Sequence, residues 1–164
     1  MVEAPVSRQR KMRTGVPSIS GNPYLPGGCV KIKHREYVAD VAGSAAFTTV
    51  QYSINPGLQQ LFNWLYATAN QFEEYVFRRL DFLFETEKST ATDGRVMLAV
   101  DFDAADAAPL TKAAMMAYRG AEPAPVWSEC IFRAAATDLF RSRNLYTRSG
   151  ALGANLDVKT YDTG

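Results

Sequence analysis

Apolar and polar residues alternate through much of this chain, and turn signals break the alternation at short intervals. "CVKIKHREYVADVAG" (29–43) places Val30, Ile32 and His34 on one side and then carries Val38 and Val41, the pattern of a strand. "AAFTTVQYSINPG" is β-branched and aromatic and closes on Asn55-Pro56-Gly57, a strong turn signal. In "LQQLFNWLYATANQF" the apolar positions Leu58, Leu61, Phe62 and Leu65 move to helical spacing, which predicts a short helix. "EEYVFRRLDFLFETE" returns to strand character, with Leu80, Phe82 and Phe84 on one side. Asp93-Gly94 marks a hairpin-type turn, after which Val96, Leu98, Val100 and Phe102 alternate cleanly. "PLTKAAMMAY" is rich in helix formers and predicts a second short helix with Pro109 near its first turn. "APVWSECIFRA" and "NLDVKTYDTG" read as the last two strands. About six short strands with two short helices predict an all-β sandwich or barrel. Periodicity alone leaves immunoglobulin-like, lectin-like and jelly-roll forms open.

Composition separates the first part of the chain from the rest. Residues 1–28 carry no strand or helix period and hold Pro5, Pro17, Pro23 and Pro26 with four glycines, so they read as a flexible arm ending at a turn. The arm is basic: Arg8, Arg10, Lys11 and Arg13 put four positive charges into six residues, although the whole chain of 164 residues has a net charge of only +1. A chain of this length is read as one domain, residues 29–164, with enough apolar residues (47%) for a core. Two cysteines, Cys29 and Cys130, are too few for a disulfide framework. The longest apolar runs fall well short of the roughly 20 residues of a bilayer span, and no apolar segment follows the basic N-terminus as a signal peptide would require.

The chemistry is concentrated in "AVDFDAADAAP", where Asp101, Asp103 and Asp106 lie within six residues. Carboxylates this close repel, so such a cluster is either solvated or supplied with a cation. In the alternative reading Asp106 caps the helix near Pro109 and the other two are solvated. A single histidine, His34, excludes metal sites that need two or three imidazoles from one chain. There is no phosphate-binding glycine loop and no Gly-x-Ser-x-Gly elbow. A Cys–His dyad drawn from Cys29 or Cys130 with His34, and an Asp101/Asp103 pair for hydrolysis, are the two catalytic readings open to these residues; neither is the reading preferred here. Trp64 and Trp127 with Phe62, Phe77, Phe82 and Phe84 are assigned to the core. Of Arg78 and Arg79, one is expected to face outward.

Several of these segments, taken in order, resemble the shell domain of icosahedral plant RNA virus coat proteins of the tombusvirus and sobemovirus type. The resemblance is carried by "HREYVADVAGSAAF", the Ile-Asn-Pro-Gly turn, the Leu-Phe-x-Trp-Leu helix and the aromatic strand after it, then "GRVMLAVDFDAADAAP", "APVWSECIF" and "NLDVKTYDTG". It implies an eight-stranded antiparallel jelly roll that tiles an icosahedral shell around single-stranded RNA, without catalysis. On that pattern the last strands of the barrel are absent from the chain. The resemblance further implies calcium at subunit boundaries. Asp103-x-x-Asp106 matches the family's acidic loop, Asp101 is a possible extra ligand, and Asp138 is a candidate from the facing subunit whose alternative is a plain surface aspartate. Calcium takes six to eight oxygens, more than one loop offers, so neighbouring subunits or water must complete its shell. Removing it at raised pH is then expected to swell the particle. The arm residues Arg8, Arg10, Lys11 and Arg13 would neutralise packaged RNA by displacing counterions, with Lys31, Lys33 and Arg35 as further inner-surface cations. The implied setting is the virion, and the host cytoplasm during assembly. The rival from another class is a jelly-roll module that binds carbohydrate or another ligand through calcium.

Overall fold

In a computed structural model the described residues are 15–24, 27–140 and 144–164. They form eight short strands arranged as four antiparallel pairs, with three short helices. Strand β1 (Ser18–Gly21) pairs with β2 (Val30–Lys33), so part of the segment read as a structureless arm is a strand. Its Pro- and Gly-rich flanks hide a four-residue ladder in which Ile19 faces Ile32. Helix α1 (Leu65–Ala69) is shorter than the periodicity predicts, but helix-type bonds Phe62 N to Leu58 O and Tyr66 N to Phe62 O continue it backward. Glu36 caps its start: its carboxylate accepts from Trp64 N (2.6 Å) and Leu65 N (3.2 Å). His34, two residues earlier, lies against the Trp64 ring at a centroid distance of 4.6 Å. Trp64 is therefore a partly exposed surface residue, not a core one.

The predicted strand 73–87 divides into β3 (Glu74–Tyr75) and β4 (Asp81–Phe84). β5 (Arg95–Leu98) follows the Asp93-Gly94 turn, and Gly94 has the positive φ of 129° that such a turn needs. Helix α2 (Lys112–Met116) begins at Thr111, whose hydroxyl accepts from Ala114 N at 3.1 Å. That makes Thr111 the cap, and Asp106 is not. β6 (Glu122–Pro125) pairs with β5, and β7 (Cys130–Arg133) pairs with β4 and also packs beside β5 and β6. Helix α3 (Ala136–Leu139) and β8 (Leu145–Tyr146, paired with β3) complete the pattern. Two predicted strands fail. Residues 45–57 run without a strand assignment, and the end of the chain forms a 3-10 turn at Val158–Thr160. After that turn Thr163 N bonds Ile54 O and Ile54 N bonds Gly164 O, which joins the two failed segments to each other.

The core is Ile54, Leu61, Leu80, Val100, Phe132 and Leu139, with Phe62, Phe77 and Phe82 packed against it. Only Phe132 on β7 and Leu139 on α3 lie within a strand or helix; the other four come from the connecting segments, so burial of apolar surface holds those segments to the pairs. No helix among the described residues is long and apolar enough to cross a membrane.

Candidate functional site

The acidic loop starts at Asp101, three residues after the end of β5. It is folded by its own carboxylates. Asp101 Oδ1 accepts from Asp103 N (2.9 Å), Asp103 Oδ1 accepts from Ala105 N (3.1 Å), and Asp106 N donates to Asp103 O (3.0 Å). Each of the first two carboxylates thus spends one oxygen on the backbone and keeps the other for an outside group. The second oxygen of Asp103 receives the Lys159 ammonium at 2.7 Å. Tyr118, beyond α2, meets the same loop. Its phenol is raised above the ordinary range by desolvation first, then by the charge of Asp101, its hydrogen bond to Asp101 and the charge of Asp106.

Lys159 reaches the loop from a firmly held segment. Asp157 starts the 3-10 turn, its Oδ1 accepting from Lys159 N (3.0 Å) and its carbonyl from the Thr160 hydroxyl (2.7 Å). Three residues on, Asp162 is buried and gripped by Arg148 Nε at 2.7 Å. The Arg148 guanidinium also bonds Gly150 O (2.6 Å), and the pair is nearly closed to solvent, with side-chain exposures of 13% for Arg148 and 1% for Asp162. Asn55, fully buried, ties this segment to the rest. Its Nδ2 donates to Tyr161 O (2.8 Å) and Tyr146 O (3.0 Å), while its Oδ1 accepts from Gly57 N (3.0 Å) and Arg148 N (3.2 Å). The Tyr75 hydroxyl reaches Tyr161 O (2.7 Å) and Ile54 O (3.2 Å) at the same place. Gly57 leaves room for this knot: a Cβ there would come within 2.5 Å of Arg148 O and of Asn70 Oδ1. The Lys159 ammonium stays more firmly protonated than usual, first because of its hydrogen bond to Asp103 and further because of the charges of Asp103, Asp106 and Asp157, against desolvation.

A cavity of about 210 Å³ lies beside the loop, with Phe102, Asp103, Asp138, Lys159, Asp162 and Thr163 in its wall. Asp138 is neither a plain surface aspartate nor remote from the loop. It is 9% exposed on α3, pairs with Arg119 Nη1 at 2.9 Å, and shares this cavity with Asp103 of its own chain. The oxygen donors of Asp101, Asp103 and Asp106 have the hard character that suits calcium. Among the described residues, however, no group of three or more acidic, histidine or cysteine side chains converges tightly enough to hold a metal ion.

The other residues singled out in the sequence fall in separate places. Arg8, Arg10, Lys11 and Arg13 lie outside the described residues. Lys31 and Lys33 are exposed and share one face of the β1–β2 ribbon with Ser20 and Ser18, while Arg35 pairs with Glu85 at 2.6 Å. Arg78 and Arg79 are both exposed, and Arg79 is tied to Asp81. Cys130 sits buried on β7 and its thiol is pushed up by burial and by Glu122, the opposite of an activated nucleophile. His34 Nδ1 is buried without a partner, and its ring is committed to Trp64. The Asp101/Asp103 pair is committed to the loop backbone. The sequence reading missed the Asn55–Tyr75–Arg148–Asp162 knot. Its only signal was the Asn-Pro-Gly turn, which accounts for the bond to Gly57 and for none of the distant ones.

In sequence and in fold the chain is similar to viral capsid proteins. The chain is 29% identical over 150 residues to the capsid protein of Melon necrotic spot virus, covering 87% of this chain and 37% of that protein. It is 36% identical over 113 residues to the capsid protein of Oat chlorotic stunt virus (isolate United Kingdom), covering 65% and 24%. The crystal structure of Cucumber Necrosis Virus superimposes with a TM-score of 0.84 at 27% identity over 100% of this chain and 50% of the solved one. The chain thus spans between about a quarter and a half of the length of these relatives. The model of the viral coat protein S domain matches residues 1–160, nearly the whole sequence, and the chain belongs to that family.

Proposed function

We propose that this chain is the shell-forming part of a capsid protein that assembles in many identical copies into an icosahedral virion around single-stranded RNA. The family is one of structural coat proteins, not enzymes. The observation that carries the reading is the full-length superposition on a plant virus capsid subunit, joined to the family match. In this reading the four strand pairs belong to an antiparallel jelly roll of the eight-stranded type. The basic arm (Arg8, Arg10, Lys11, Arg13) compensates RNA charge. Calcium bound by Asp103 and Asp106, with Asp101 as an additional ligand, links one copy to the next. What supports calcium is the donor chemistry of the loop; an ion shared with a neighbouring copy would obtain its missing oxygens there. Assembly would occur in the host cytoplasm.

The test is electron microscopy and sedimentation of the complete coat protein with and without EDTA, for wild type and for Asp103→Asn with Asp106→Asn. The expected result is uniform spherical particles that swell when calcium is removed at raised pH, with the double variant swollen already in calcium. Small monodisperse protein in every buffer would refute the shell. Shells indifferent both to EDTA and to the double substitution would refute calcium alone.

A further inference from the structure

The His-Arg-Glu run that leaves β2 spends all three side chains on other parts of the chain. Glu36 holds the start of α1 with both oxygens, Oε2 on Trp64 N (2.6 Å) and Oε1 on Leu65 N (3.2 Å). Arg35 Nη2 donates to Glu85 Oε1 at 2.6 Å. His34 lays its ring beside the Trp64 indole, with 4.6 Å between centroids and 60° between planes. Together they clasp the end of β2 to the first turn of α1. One atom of the clasp is unsatisfied. His34 Nδ1 is closed to water and has no hydrogen-bond partner among the described residues. A neutral imidazole tolerates this by carrying its hydrogen on Nε2, which leaves only a lone pair at Nδ1. An imidazolium carries N–H at both nitrogens, and a buried donor without an acceptor is costly. The charged groups of the clasp are already committed or of the wrong sign. Both oxygens of Glu36 are engaged with backbone N–H groups, Glu85 is paired with Arg35, and Lys33, the preceding residue, is a cation. Helix α1 (Leu65–Ala69) offers the phenol of Tyr66 and no charged residue.

We infer that the His34–Trp64 contact is a pH-sensitive clasp on the start of α1. It is closed while the imidazole is neutral, and it opens when the ring takes up a proton and turns to water. Imidazole is the side chain whose ordinary charge change falls in the physiological range, and this chain has one. An indole attracts an imidazolium, but only weakly where the ring is partly exposed, as Trp64 is; the N–H left without an acceptor outweighs that attraction. Opening removes the ring that covers Trp64, and the Trp64 and Leu65 amides held by Glu36 then exchange more readily. The device lies within one chain and involves no metal ion.

Hydrogen exchange of the complete coat protein, read by mass spectrometry and corrected for the intrinsic pH dependence of exchange, tests this at residues 61–70. A ring that binds its proton only in the open state favours opening about tenfold more at pH 5.5 than at pH 7.5, given an ordinary imidazole value of about 6.5. Wild type should therefore lose about tenfold in protection at 61–70 over that interval, while residues 130–133, in the β4–β7 pair, keep theirs. His34→Phe retains an aromatic ring beside Trp64 and cannot charge, so it should show no such fall. His34→Leu, smaller and also uncharged, should behave likewise; it serves where the phenylalanine is not accommodated, judged by protection at 130–133 at pH 7.5. Unchanged protection at 61–70 in wild type would overturn the inference. So would protection that rises on acidification, the result that attraction between indole and imidazolium would give. A fall that persists in the His34 variants would assign the effect to the Glu36 carboxylate, and one shared by 130–133 would be general loosening in acid; either would overturn it as well.

Discussion

Replacing Asn55 with alanine should be among the most damaging single changes available in this fold. The carboxamide is fully buried and bridges three parts of the chain that are far apart in sequence. Asn55→Ala deletes the bonds donated by Nδ2 to Tyr146 O and Tyr161 O, a longer one to Asp162 Oδ1, and two accepted by Oδ1, from Gly57 N and Arg148 N. A net hydrogen bond is worth about 1 kcal/mol, and a backbone group left buried without a partner costs more. The four bonds to backbone alone put the loss at about 4 kcal/mol, a large part of the roughly 5–15 kcal/mol that stabilises a domain. Urea unfolding followed by the fluorescence of Trp64 and Trp127 measures it. With a slope of about 2 kcal/mol per molar, the midpoint should fall by about 2 M. Asn55→Asp serves as the control: it keeps the acceptor and replaces the donor with a charge beside Asp162, so it should also be destabilised at neutral pH and partly recover on acidification. A fall of under about 0.5 M for Asn55→Ala would show that water replaces the carboxamide, and the reasoning would fail.

The same knot yields two more expectations. Arg148→Met leaves the Asp162 carboxylate buried and unpaired, and should cost about 3–5 kcal/mol in the same assay; a loss below about 1 kcal/mol would mean the pair is wet. The Tyr75 phenol is pushed above its ordinary range, chiefly by desolvation. The folded state therefore holds this proton more tightly than the unfolded state. Its contribution is complete below about pH 10, the ordinary phenol value, and declines as pH rises beyond it. Tyr75→Phe should lower stability at neutral pH by about 1 kcal/mol and flatten the alkaline decline. An alkaline limb of unfolding that is the same in wild type and Tyr75→Phe would exclude Tyr75 as its source.

Local chemistry was legible in the sequence, and partnership was not. The Val96–Leu98 alternation, the Asp93-Gly94 turn and the second helix appear where the pattern puts them, because each depends on residues within a few positions. β1 stayed hidden because its neighbours are prolines and glycines, yet an edge ladder of four residues tolerates such flanks. β6 contains Pro123 and Pro125, which lack an N–H and argue against a strand in the middle of a sheet; here they lie on a strand of a two-stranded pair. The alternation at 45–57 predicted a strand, but its long-range backbone bonds are those of Ile54, to Thr163 and Gly164. No period in the sequence reports a pairing over more than a hundred residues. The acidic loop announced itself through its spacing. Its lysine partner lies 56 residues away, in a segment that alternates like a strand and folds as a 3-10 turn.

That turn explains why a strong and a weak ion pair sit three residues apart. Arg148–Asp162 is closed to water, so breaking it leaves a stranded charge and costs several kcal/mol. Lys159–Asp103 is open to water, which screens it, so it is the weaker of the two. The first keeps the turn in place whatever becomes of the second, so the Lys159 backbone does not depend on the exposed pair.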